Sequence, residues 1–125
     1  MATATIKKQW QVANNGGWAE GFNFFLGSTA TPDTAVGTCT AEFRMGRPGR
    51  PETEALVYSS VDSTVPPTVV VSGNTVAVTI PRTMTIDWAP GIYDVQLRVI
   101  PATGGVDRYD LIGPGRLIVL EAPGT

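Results

Sequence analysis

Two pairs of carboxylates are the residues with the plainest catalytic potential. Glu52 and Glu54, and Asp107 and Asp110, lie close together in the chain, and two acids across a cleft are the equipment of glycoside hydrolysis. Both pairs fall in turn-rich sequence, and nothing around them would raise one pKa above the other, so they read as solvated acids. The chain has no His, which removes Ser-His and Cys-His nucleophile pairs, His-ligated zinc and the commonest general base near neutral pH. Its one cysteine, Cys39, can form neither an internal disulfide nor a Cys-rich metal site and gives no sign of an oxidising compartment. No catalytic residue, cofactor or metal ligand is expected, and the chain reads as a non-enzyme.

Binding chemistry is better represented. Trp10, Trp18 and Trp88 offer flat aromatic faces that stack on sugar rings, although Trp10 and Trp18 fall on otherwise apolar strand faces and read first as core. The loop Arg44-Met-Gly-Arg-Pro-Gly-Arg-Pro51 contains Gly-Arg-Pro, which resembles the core of an AT-hook whose extended arginines enter the minor groove. Met45 stands where the hook's first arginine would be, and Glu52 and Glu54 oppose phosphate, so no nucleic acid is expected. Arg47 and Arg50, on a loop stiffened by Pro48 and Pro51, suit pairing with carboxylates of a protein neighbour. The segment 1–9, with Ile6, Lys7 and Lys8, reads either as an ordinary first strand or as an extended arm that adds a strand to a neighbour's sheet. Ile6, Lys7, Lys8, Arg47 and Arg50 are therefore the candidate partner-binding residues.

The net charge of −2 and pI near 4.9 argue against a broadly cationic surface for nucleic acid. Only 16% of residues are charged, well below the roughly 25% usual for soluble domains, so the surface must rely on Thr, Ser, Asn, Gly and Pro. Such a surface tolerates burial in an assembly. The first ten residues hold no long apolar run, and no later segment approaches the length needed to span a membrane, so a soluble protein without membrane contact is expected.

At 125 residues the chain has the size of one domain, 1–125, since two would each lack a core. Val, Ile and Thr make up 37 residues against 19 of Leu, Met, Glu, Gln and Lys, a balance that favours strands. Short alternations between Gly- and Pro-rich turns give the candidate elements. Ile6, Lys8, Trp10 and Val12 share one face of a first strand. Trp18, Phe22, Phe24 and Leu26 share a face of the second, with Glu20 the exception. Cys39, Ala41, Phe43 and Met45 line a two-faced strand and point inward.

Residues 55–58 and 68–71 are further strands. Ser72-Gly73-Asn74 marks a hairpin into Thr75–Ile80. Residues 81–90, with Met84, Ile86 and Trp88, cross between sheets. Tyr93, Val95, Leu97 and Val99 line the core, a turn lies around Gly104-Gly105, and Gly113-Pro114-Gly115 puts a bulge or bend into a long last strand. Seven to nine short strands in one domain predict an all-β fold, an immunoglobulin-like two-sheet antiparallel β-sandwich, without the Cys-Trp-Cys hallmark of antibody domains.

The run Pro90-Gly-Ile-Tyr-Asp-Val-Gln-Leu-Arg98, the Gly104-Gly105 spacer and Arg108-Tyr-Asp-Leu-Ile-Gly-Pro-Gly-Arg-Leu-Ile-Val-Leu-Glu121 resemble small bacteriophage virion proteins with an immunoglobulin-like fold, similar to the N-terminal domain of phage baseplate upper proteins. The strands at 18–26 and 41–45 look like their early strands, so the resemblance spans most of residues 16–121. It implies a structural component of the virion, present in multiple copies or as a homo-oligomer. Its partners would be other virion proteins, contacted as a head-decoration (cement) protein or as a tail or baseplate adaptor. The resemblance assigns no individual binding residue. The alternative is a carbohydrate-binding adhesion module built on the tryptophans.

Overall fold

Apolar-polar alternation puts most of the chain into strands. The computed structural model describes residues 2–5, 9–13, 16–26, 31–51, 55–61, 68–103 and 106–120. These form β1 (Ala2–Thr5), β2 (Gln9–Ala13), β3 (Trp18–Asn23), β4 (Cys39–Gly46), β5 (Leu56–Ser59), β6 (Thr68–Ser72), β7 (Thr75–Ile80), β8 (Gly91–Pro101) and β9 (Tyr109–Leu120). A 3₁₀ turn at Thr34–Thr38 and one helical turn, α1 (Arg82–Thr85), complete the described elements. The larger sheet runs β1-β9-β8-β4-β5, with β2 also on β9, and the smaller runs β3-β7-β6. The protein is an all-β, two-sheet sandwich.

One departure from the expected antiparallel plan lies at the edge of the larger sheet. Both β1 and β2 pair parallel to β9, Ala2 opposite Tyr109 and Gln9 opposite Arg116, in one continuous offset. A tight hairpin would force antiparallel pairing, but β2 and β9 lie at opposite ends of the sequence and no turn between them fixes direction. Along the other side of β9, Asp94 of β8 faces Arg116 while Gln96 faces Ile112. The extra residues on β9 are Gly113-Pro114-Gly115, so the interruption read in the sequence is a bulge within a continuous strand.

The two inner faces meet in one core. Phe43, Met45, Val95, Leu97, Val99, Leu117 and Val119 of the larger sheet close on Trp18, Val69, Val76, Val78 and Ile80 of the smaller. Trp18 packs on Phe43 with ring centroids 5.3 Å apart, and Trp10 stands edge-on to Trp18 and Phe22 at 5.8 and 5.9 Å. The hairpin falls where expected, with Ser72 opposite Thr75 and only Gly73, at φ +60°, taking positive φ. That places glycine first in a two-residue turn, the type II′ arrangement.

Two local expectations need correction. Leu26, placed on the inner face, is 45% exposed, because β3 ends at Asn23 and the chain folds back, Leu26 N–H donating to Thr31 C=O. Cys39 is only half-buried, since it begins β4 directly after the 3₁₀ turn and its Sγ reaches the Ala35 carbonyl at 3.4 Å. The crossing between sheets falls where expected, from β7 of the smaller sheet to β8 of the larger, and contains the helical turn α1, after which Ile86 faces solvent while Trp88 is buried.

Candidate interaction surface

The chain turns at Arg47-Pro48-Gly49-Arg50, where Arg50 N–H donates to Arg47 C=O at 3.1 Å, and the Arg47 side chain folds back over its own domain. Its Nη2 donates to the Pro90 carbonyl at 2.9 Å, and its guanidinium lies 4.6 Å from the Tyr93 ring centroid. The Tyr93 hydroxyl in turn donates to the Ala89 carbonyl at 2.7 Å. The cluster clamps the crossing segment at the start of β8. Gly91 has φ +142°, which requires glycine for the backbone, and a Cβ there would also displace the Arg47 guanidinium from its place over the segment. The tight turn also differs from the extended course of an AT-hook.

Ile6, Lys7 and Lys8 lie outside the described residues, as do Glu52 and Glu54. Ala2–Thr5, expected either as a first strand or as an arm, pair within the chain as β1. The tryptophans offer no sugar platform: Trp10 is 7%, Trp18 8% and Trp88 5% exposed, because each fills the space between the sheets. Glu20, the exception on the apolar face of β3, accepts from Trp10 Nε1 at 2.8 Å, so the indole polar atom and the carboxylate satisfy one another. Asp107 receives both Arg98 Nε at 2.7 Å and Nη2 at 3.2 Å, and Asp110 receives Gln96 Nε2 at 2.8 Å. The two acids are therefore held by different partners on the outer face of β8 and β9. Among the described residues no group of three or more Cys, Asp or Glu could hold a metal.

A buried polar cluster was missed in the sequence. Asp33, 1% exposed, accepts from Arg108 Nε at 2.8 Å and Nη2 at 2.7 Å and from the Tyr109 hydroxyl at 2.6 Å. Those Arg108 bonds hold the carboxyl below its usual range against the opposing effect of burial, and Tyr109 adds to the lowering. Tyr109 also stacks on Phe24, centroids 4.5 Å apart. The network ties the 31–38 connection to β9 and fixes one end of the sandwich.

The outer faces of the two sheets differ in charge. On the larger, Glu42 accepts from Arg44 Nε at 2.6 Å and lies 3.5 Å from Arg98 Nη1. The Asp107 bonds keep Arg98 above its usual pKa despite partial burial, with Glu42 and Asp110 adding to the effect. Charges on this face are thus largely matched within the chain. The apolar exceptions include Ile92, 43% exposed and opposite Ile118, and Leu120, 45% exposed.

On the smaller sheet, Ala19, Gly21 and Asn23 of β3 oppose Thr79, Ala77 and Thr75 of β7, which oppose Thr68, Val70 and Ser72 of β6. None of these nine positions is ionisable, and Val70 is 47% exposed at the middle of its strand. Thr75 donates to Asn23 Oδ1 at 2.7 Å. This is an uncharged surface, in keeping with a composition that points to a surface built from Thr, Ser, Asn and Gly. The chain matches no protein-family model and no curated protein.

Proposed function

We propose that the chain is a non-enzymatic structural protein of a bacteriophage particle, built as an immunoglobulin-like sandwich, that docks on other virion proteins through the outer face of β3-β7-β6. The sheet order supports the architectural part: β3-β7-β6 and β4-β8-β9 are compatible with the strand orders B-E-D and C-F-G of such a sandwich. The observation that carries the docking reading is the absence of any ionisable residue at the nine outer positions of the smaller sheet. Burying a charge in an interface is costly unless it is paired there, and this face has none to desolvate. Its short side chains lose little rotamer freedom on contact, while Thr, Ser and Asn retain hydrogen-bonding groups for a partner. The larger sheet suits the role less, because a partner would have to compete with ion pairs already made.

The chain would occupy the virion in many copies, as a head-decoration protein or a tail or baseplate adaptor. Incubating purified heads and purified tails with wild-type protein and with Val70→Glu or Ala19→Arg tests this. The expected result is loading of wild type on one of the two structures and reduced occupancy for both variants at unchanged melting midpoint. Wild-type occupancy for both variants, or no loading of the wild type on either structure, would overturn the reading.

A further inference from the structure

We infer that Asp33 is a positioning residue for the proposed docking face: anchored to the larger sheet, it fixes the Gly73-Asn74 turn and with it the Asn23, Thr75 and Ser72 end of β3-β7-β6. The inference rests on the docking reading above and adds what holds that face in shape. Asn23 lies opposite Thr75, and Thr75 opposite Ser72, so these residues form the rung of the face nearest the turn. The turn opens with Gly73 at φ +60°, and glycine keeps more backbone freedom than any other residue. An interface of short side chains depends on backbone position, because it has no long side chain to readjust across a gap.

The turn is held from the connection between β3 and β4. Phe24 N–H donates to the Asn74 carbonyl at 2.9 Å, and the Phe24 carbonyl accepts from both Asn74 Nδ2 at 2.9 Å and Asp33 N–H at 3.0 Å. Gly37, in the 3₁₀ turn, lies against the Gly73 backbone so closely that a Cβ on it would come within 3.0 Å of the Gly73 oxygen. The connection is anchored in turn to the larger sheet. The Asp33 carboxylate takes Arg108 and Tyr109, and Phe24 stacks on the same Tyr109. Asp33 thus reaches the turn through its backbone N–H and Phe24, and the start of β9 through its side chain. Without the carboxylate's bonds, Phe24 and Asn74 lose their tie to the opposite sheet, and the last rung of the face loosens while the core between the sheets stays packed.

The test compares two variants of the purified full chain, Asp33→Asn and Val119→Ala. Val119 is 2% exposed and lies opposite Gly91, at the far end of β9 from Tyr109, so its truncation lowers stability without touching the turn. Native-state hydrogen exchange of the Phe24 amide is read on the isolated chains, relative to the slowest amides of each variant, which report global unfolding. Both variants are also loaded on whichever of purified heads or tails takes the wild type. The expected result is Phe24 exchange several-fold faster in Asp33→Asn than in Val119→Ala. Loading of Asp33→Asn should fall several-fold while Val119→Ala loads as wild type does. Equal relative exchange at Phe24, or an equal loss of loading in the two variants, overturns the inference. If the wild type loads on neither structure, the docking reading falls, and Phe24 exchange still decides whether Asp33 holds the turn.

Discussion

Replacing Asp33 with Asn isolates the charge that fixes one end of the sandwich. The carboxylate takes three charge-assisted bonds, two on Oδ2 from Arg108 Nε and Tyr109 and one on Oδ1 from Arg108 Nη2. Asn keeps an oxygen for the first two donors but turns an amide N–H₂ toward Arg108 Nη2, which is itself a donor. One bond is lost and the others weaken. A hydrogen bond to a charged group contributes roughly 1.5–3 kcal/mol, and removing one partner of a fully buried pair costs about 3–5 kcal/mol. The Arg108 side chain is 36% exposed, so water takes up part of the released charge and the smaller scale applies. The expected cost at pH 7 is about 2 kcal/mol, a fall in melting midpoint of roughly 6–12 °C for a domain of this length.

The pH dependence has a definite sign. The Arg108 bonds hold Asp33 below its ordinary 3.8 in the folded state, outweighing the opposite push of burial. The stabilisation is therefore complete above the unfolded value and is lost as pH falls through the lower folded value. Urea titrations at neutral pH and at successive steps below pH 4 should show the gap between wild type and Asp33→Asn closing in acid. Equal stability at pH 7, or a gap that survives unchanged in acid, would refute the argument.

Gly91→Ala should cost about 1–3 kcal/mol, chiefly through its positive φ and in smaller part by displacing the Arg47 guanidinium from its contacts. In an Arg47→Ala background only the φ strain remains, so the cost should shrink without vanishing, and additive denaturation energies would count against the clamp. Truncating Phe43, Val95 or Leu97 to Ala, each 2% exposed or less, should cost about 2–5 kcal/mol, whereas unchanged urea midpoints would contradict their place between the sheets.

Elements with a strong local signal were legible. Alternation alone gives the inner faces of β4 and β8, since a period of two assigns sides without reference to neighbours. Gly73-Asn74 and Gly113-Pro114-Gly115 were equally readable, because a turn and a bulge are set by the residues that make them. What failed to show depended on distant partners. The pattern Trp10-x-Val12 gives a buried face but not a parallel neighbour in β9. Arg47 looked free because the carbonyls that hold it belong to Ala89 and Pro90. Asp33 sat in a polar stretch like any loop acid, and only the fold brings Arg108 and Tyr109 to it. The faint signal there was an arginine and a tyrosine side by side at the start of an otherwise apolar strand.

Glu20 joins these threads. In sequence it was a misplaced charge on an apolar strand face, and in the fold it lies on β3, the outer strand of the smaller sheet. An inward-pointing charge on an edge strand is a device that keeps foreign strands from pairing there, because the newcomer would have to place its own side chains against the carboxylate. Here the Trp10 indole meets it, and that indole belongs to β2 on the opposite sheet. Sheet extension at β3 is thus disfavoured. The outer face of the same sheet is untouched by this device, because none of its positions opposite one another in β3, β7 and β6 is ionisable. Contact there would require no buried charge to lose its partner.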